Sequence, residues 1–375
     1  MNRCHHGLVP NQSGESNAHQ GLRGSNGSNG SNESNDSWVA RGDLDALTDR
    51  IDSLCFNDDW VGLVDLRDQC RSALERGKQL WPAAAYAEYR LALNGPPAFA
   101  ASVVDSQAER FTFGPFAEVM SCAHTFAELD PFLSRGPGRG AVAHERIARG
   151  EDLRLLGSSP LSSAIALGDN DPFGLPLALL SFEPRYTEPT YEPSRLRSEA
   201  PVLDFAFKNV AITTSDPGLI LTEAPEVTSA LRDLASAWTT NSNGRVESLM
   251  VEGSAAHGVA ALGCRSHRLQ QITGAQALDW MAWTAASGGA EGRRRGMAAG
   301  RLGALWASLC LAGLNEETEM IAQHPLDELE VILGELRYYL FDDGAPPSGW
   351  ALRLAIEDPL DGVAFVVNAS DARLD

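Results

Sequence analysis

The chain has little positive charge for its size. Lys and Arg number 30 against 50 Asp and Glu, a formal net charge of -20 over 375 residues. A general nucleic-acid binder needs a basic field to neutralise phosphates, and adsorption to an anionic membrane surface needs one as well. Neither nucleic acid nor a membrane is therefore expected as a partner. Long apolar runs are also missing. The longest candidate, Gly296 to Leu314, is interrupted by Arg301 and is too short to span a bilayer, so it reads as a buried helix. Cysteine is sparse: Cys4, Cys55, Cys70, Cys122, Cys264 and Cys310 include no CxxC pair. That spacing excludes a disulfide framework at this size and predicts reduced thiols in a cytoplasmic protein. The first residues are polar and lack the apolar segment of a secretory signal.

The usual catalytic signatures are incomplete. His144-Glu145 opens like a zinc-protease HExxH, but the second histidine position holds Ala148. Asp169-Asn170-Asp171 with Gly174 opens like a calcium loop, yet Phe173 and Leu180 occupy ligand positions. No P-loop is present, and no G-x-G-x-x-G follows a strand. Cys4-His5-His6 supplies metal-ligating side chains without a framework to hold them. No metal and no cofactor is expected.

What is present is an ordinary globular composition, 43% hydrophobic and 21% charged, which supports a core needing no staples. Four regions follow. Residues 1–37 include Gly24-Ser25-Asn26-Gly27-Ser28-Asn29-Gly30-Ser31-Asn32, a tail with almost nothing to bury, and are expected to be disordered. Residues 38–166 are helical in pattern: Leu44, Leu47, Ile51 and Leu54 share one face, and Trp60, Leu63, Leu66, Cys70 and Leu74 another. Residues 167–203 carry Pro172, Pro176, Pro184, Pro189, Pro193 and Pro201 and read as a connection, with Leu177 to Phe182 a candidate strand. Residues 204–375 read as a mixed domain.

In that last region Val202 to Thr213 is a candidate strand leading in. Val227, Leu231, Leu234, Ala235 and Trp238 mark one helix, and Val246 to Val251 a strand. Thr273 and Gln276 fit a capping box. Leu336 to Phe341, Trp350 to Glu357 and Val363 to Ala369 are three strands separated by Asp-Gly turns. Leu352, Leu354 and Ile356 alternate with Ala351, Arg353 and Ala355, so the first face should pack and the second be more exposed. The expected fold class is α+β: an all-helical N-terminal region followed by an α+β domain ending in a three-stranded antiparallel meander. Gly42, Gly77, Gly114 and Gly150 recur at nearly equal spacing. That recurrence fits a HEAT- or TPR-like helical repeat; chance spacing among 35 glycines over a plain helical bundle fits it equally.

Three phrases carry a resemblance. His124-Thr125-Phe126-Ala127-Glu128-Leu129 with Ala143-His144-Glu145-Arg146 through Leu153, the stretch 285–301, and Gly349-Trp350-Ala351-Leu352-Arg353-Leu354 with Glu357-Asp358-Pro359 resemble phrases of an actinobacterial protein family of unknown function. The resemblance implies a bacterial, cytoplasmic origin. It implies no activity and transfers no catalytic residue.

The most informative stretch is Ser287 to Arg301, with four arginines and five glycines. Free backbone N–H groups at a helix start and guanidinium forks both attract anions. Arg294 and Arg301, seven residues apart, would share a face if both were helical. The alternative is a basic helix edge paired with the chain's abundant acids. Ser254 is placed to cap a helix, with His257 one turn along; neither fits a G-x-S-x-G elbow. Two functions are open: a non-catalytic interaction or scaffold protein with a protein partner, or an enzyme or receptor gripping a small anionic or phosphorylated ligand through Arg294, Arg301, Ser254 and His257. The second requires those four residues to converge on one pocket.

Overall fold

The computed structural model describes residues 35–106, 114–155, 171–193, 208–209, 221–264, 268–315, 321–344 and 349–372. From residue 35 onward the chain forms one compact unit. The Gly/Ser/Asn tail and most of the strand expected at Val202 to Thr213 lie outside the described residues.

The helical region holds α1 (Asn35–Arg41), α2 (Leu44–Phe56), α3 (Trp60–Glu75), α4 (Trp81–Asn94), α5 (Pro97–Ala101), α6 (Phe116–Ala123), α7 (Phe126–Leu129) and α8 (Pro137–Ala148). Residues 35–37, assigned to the tail from composition, are helical. Helix α2 starts where Asp43 accepts from the N–H groups of Asp45 and Ala46, satisfying two orphan donors. Its stripe Leu47, Ile51 and Leu54 is buried against α3 and α4, with Leu63, Leu66, Tyr89 and Leu91. A Thr125–Glu128 capping box opens α7.

Three of the four recurring glycines follow helices, and a HEAT- or TPR-like repeat is not confirmed. Gly42, Gly77 and Gly150 follow α1, α3 and α8 at positive φ; Gly114 is not among the positive-φ residues. The intervals between them hold different helix sets: α2 with α3, then α4 with α5, then α6 to α8.

The second region contains β1 (Lys208–Asn209), β2 (Leu221–Thr222), α9 (Pro225–Asp233), α10 (Ser236–Asn241), β3 (Arg245–Glu252), α11 (Ala255–Ala261), β4 (Arg268–Ile272), α12 (Gly274–Ala286), α13 (Met297–Leu311), α14 (Leu326–Glu335), β5 (Arg337–Asp342), β6 (Trp350–Asp358) and β7 (Val363–Asp371). The strands form one antiparallel sheet in the order β1-β4-β5-β6-β7-β3-β2, whose centre is the expected β5–β6–β7 meander. The helix expected over Val227 to Trp238 breaks between α9 and α10.

Alternation divides the two sheet faces. Leu352, Leu354, Ile356, Phe365 and Val367 pack against residues of α9, α12, α13 and α14. The other face is not simply open, as alternation alone suggested. Ala355, Val366 and Phe341 are buried there beneath Ala255 and Val259 of α11. Gly258 permits the close approach: a Cβ at that position would collide with Val366.

The Leu177 to Phe182 run is not a strand. Its neighbourhood is irregular, because the carbonyls of Pro176 and Ala178 accept from Arg301 instead of a sheet partner. This proline-rich stretch touches both apolar cores: Leu175 and Tyr186 belong to the sheet core, Tyr191 to the helical one.

Candidate functional site

Helix α13 begins only at Met297, so Arg293, Arg294 and Arg295 lie in the preceding loop and the shared-face argument for Arg294 and Arg301 does not apply. The loop is stitched down on several sides. Ala290 N–H donates to Asp371 at the end of β7 (2.6 Å), and Glu291 N–H donates to Ser242 (3.0 Å). Arg294 is only 4% exposed. Its Nε and Nη2 donate to the two carboxylate oxygens of Glu118 on α6, at 3.1 and 2.8 Å. Tyr191 also donates to Glu118, and Gly114 leaves room for the phenol oxygen.

Arg301 is fully buried on α13. Its Nε and Nη2 donate to Glu183 at 2.7 and 2.8 Å, and its remaining donors reach the carbonyls of Pro176 and Ala178 at 2.9 Å. Tyr186 donates to the same Glu183 (2.7 Å). Both guanidinium forks are thus occupied by carboxylates of the chain itself. The start of α13 is occupied too: Glu145 of α8 accepts from Ala298 N–H (2.9 Å) and from Arg149 Nη1 (2.8 Å). A helix start attracts negative charge, and here it holds an internal glutamate.

The electrostatics of this cluster pull two carboxyls apart. Burial pushes Glu118 up, but the Arg294 charge and its hydrogen bonds, with Arg149 and Tyr191, carry it below the ordinary carboxylate value. Glu145 goes the other way, raised to about 7 by burial and the like charge of Glu118 against the pull of Arg149 and Ala298 N–H. Burying such pairs is costly; their removal one partner at a time is costlier, because it strands a charge. The cluster joins α6 and α8 to α13 and fixes how the two cores meet.

Ser254 and His257 lie elsewhere. Ser254 caps α11, its N–H donating to His257 Nδ1 (3.0 Å), with Ser254 Oγ 2.9 Å from the same nitrogen. Glu357 accepts from Ala255 N–H (3.0 Å). Helix α11 covers the sheet face opposite to the one packed by α13. The four residues singled out from the sequence therefore do not share a site.

Sequence reasoning missed the partners: Glu118, Glu145, Arg149, Glu183, Tyr186 and Tyr191. A signal existed for two of them. Glu118 is a carboxylate inside the apolar run Phe116-Ala117-Glu118-Val119-Met120, and Glu145 precedes Arg149 by four residues, one helical turn. His144, the other half of the failed zinc motif, is buried and bonded through Nε2 to Asp171 (3.0 Å), with Phe173 edge-on at 5.6 Å. Among the described residues, no group of three or more His, Cys, Asp or Glu side chains is placed to hold a metal ion. Cys55, Cys70 and Cys310 are buried thiols outside any disulfide. No described helix is long and apolar enough to cross a membrane.

No curated protein and no solved structure matches the chain. A family model does match, over residues 45–372, and takes in both cores and the buried cluster that joins them. The chain belongs to that family, a family of unknown function designated DUF6183.

Proposed function

We propose that the protein is a cytoplasmic, non-catalytic interaction protein that works by holding another protein. The observation that carries this reading is the closure of both arginine forks: Arg294 is taken by Glu118 and Arg301 by Glu183. Groups that are buried and bonded internally are poorly placed to grip a small anion, which removes the main support for an anionic-ligand enzyme or receptor.

The surface that favours a protein partner is the corner between α2 and α3. Phe56 is 88% exposed and Val61 71%. The turn between them carries Asp58, at a positive φ of 55°, and Asp59, which accepts from Gly62 N–H and so caps α3. Exposed apolar side chains flanking acidic ones fit a partner segment that is both basic and apolar. The net charge of -20 favours the same sign of partner.

The test is a photo-crosslinking residue placed at Phe56 in the full chain, with Thr239 as the control position. A discrete heterologous adduct at 56, absent at 239 and lost with Val61→Asp, is expected. Self-adducts alone at 56, together with stabilisation by phosphorylated small molecules that Arg294→Ala abolishes, would overturn the reading.

A further inference from the structure

Strand β2 covers only the end of β3. Leu221 pairs with Val251 and Thr222 with Met250, and the ladder between them stops there. Ala224 then caps α9, whose first residue is Pro225, so the chain leaves the sheet. On its other side β3 pairs with β7 from Arg245 to Glu252. Exposure follows this difference. Arg245 and Glu247 are exposed and Val246, Ser248 and Leu249 half-buried, whereas Val366, Val367 and Ala369 of β7 are buried.

The phase of the ladder shows which backbone groups face outward. Gly253 N–H donates to the Gly362 carbonyl (2.7 Å), and the β3–β7 register sets these two residues opposite each other. Bonded and non-bonded pairs alternate along an antiparallel ladder. Val251, Leu249, Glu247 and Arg245 therefore turn their N–H and C=O groups to β7, and Met250, Ser248 and Val246 turn theirs away from it. Met250 meets Thr222 of β2, and Gly244 N–H, next in the outward set, donates to the Trp238 carbonyl (3.1 Å). Between these two anchored ends, the N–H and C=O groups of Val246 and Ser248 bond to no described residue. We infer that this stretch of the β3 edge accepts an extended segment of another protein as a short antiparallel strand, with a basic residue opposite Glu247.

The side chains along the edge select that segment. Glu247 is exposed and makes no ion pair among the described residues, and Glu252 and Glu223 are exposed near the same edge. Residues directly opposite on neighbouring strands stand about 4.5–5.5 Å apart at Cβ, so a basic side chain opposite Glu247 pairs and an acidic one repels. Val246 packs against the sheet core and Leu249 against the cluster under α11, which favours apolar residues opposite both. Arg245, which donates to Ser370, favours an acidic residue. A second copy of β3 fits poorly. Pairing about Glu247 sets two glutamates face to face, and pairing about Val246 sets Ser248 against Gly244, whose N–H is already spent. The edge belongs to the sheet and the α2–α3 corner to the helical region, so neither inference depends on the other. Main-chain bonds supply affinity in such strand addition, and the alternate side chains supply specificity.

The experiment uses the full chain and the peptide acetyl-Val-Thr-Lys-Val-Glu-amide, written to oppose Leu249 through Arg245. In the free protein, the amides of Val246 and Ser248 should exchange at least about 100-fold faster than that of Val251, which bonds to β7. Peptide binding is read from amide shifts in NMR and should centre on Val246 and Ser248. N-methylation at the peptide's threonine or second valine, whose N–H groups face β3, should weaken binding about tenfold each, the loss of one hydrogen bond. N-methylation at its lysine, whose N–H points away, should not. A glutamate in place of that lysine should bind more weakly, and Glu247→Lys should reverse the preference. Val246→Pro removes an outward N–H without touching the β3–β7 ladder and should abolish binding with the sheet intact. If that variant fails to fold, the N-methylated peptides carry the test. Amides of Val246 and Ser248 as protected as that of Val251 would overturn the inference, as would no binding at millimolar peptide or equal losses from N-methylation at either set of positions. A dimer of the free protein that Val246→Pro dissociates would also overturn it, by assigning the edge to a second copy.

Discussion

Truncating Arg294 to alanine should cost far more than removing a typical surface arginine. Glu118 is fully buried and Arg294 nearly so, and the two are joined by a two-bond fork. Arg294→Ala leaves the Glu118 carboxylate with the Tyr191 hydroxyl and the more distant Arg149. Breaking a buried pair in this way costs about 3–5 kcal/mol, because the remaining charge is neither solvated nor matched. Domain stability is about 5–15 kcal/mol in total, so the variant should be marginal. Arg294→Lys should fall between, since one ammonium cannot span both carboxylate oxygens. The double variant Glu118→Gln, Arg294→Met should recover more than half of the loss, because no charge is left buried. Urea denaturation of the four proteins at low and high KCl measures this, with little salt dependence expected for a shielded pair. A loss below about 1 kcal/mol in Arg294→Ala, the value of an exposed ion pair, would refute the assignment of Arg294 to the core.

Glu145 should give stability a pH slope. Its carboxyl is raised from 4.5 to about 7 on folding, so the contribution is full below about pH 4.5 and is lost as the pH rises through about 7. At about 1.4 kcal/mol per unit the change is on the order of 3 kcal/mol. Denaturation midpoints across this range should show it, and Glu145→Gln should flatten it; an unchanged slope in the variant would refute the attribution. Gly296→Ala should destabilise by about 1–3 kcal/mol, because φ is +93° and the added Cβ would stand 2.5 Å from Glu145 Oε1. Gly334→Ala, in open space on α14, should instead gain about 0.5–1 kcal/mol; thermal melts of both check the contrast. Deleting residues 349–375 removes β6 and β7 from the middle of the sheet, with Leu352, Leu354, Ile356 and Val367, each worth roughly 1.5–3 kcal/mol. Loss of soluble, protease-resistant protein is expected. A protected 221–344 fragment that unfolds cooperatively would show that these strands are dispensable.

How much of this was legible in the sequence depended on how far apart the interacting residues lie. Local chemistry was readable: the Thr273–Gln276 capping box, the alternation of β6 from Trp350 to Leu354 and the Asp361-Gly362 turn of the meander all involve neighbours and stand in the structure. The arginine stretch was singled out for its affinity for anions; Arg294 meets Glu118, 176 residues away, and Arg301 meets Glu183, 118 away. No periodicity or spacing rule reaches that far. The same long-range contact explains why the strand expected at Leu177 to Phe182 is absent: its composition suits a sheet, but Arg301 takes the carbonyls of Pro176 and Ala178. The pairing also accounts for where the charge excess appears. Arg149, Arg294 and Arg301, each matched inside, are three of only 30 basic residues. Each is matched by a buried glutamate, Glu145, Glu118 and Glu183 in turn, so the pairs take equal charge of both signs into the interior. The buried pairs are neutral together, so the net charge of -20 rests on the remainder of the chain, exposed Asp58 and Asp59 included, and a protein partner of the kind proposed would meet that surface rather than the arginine loop.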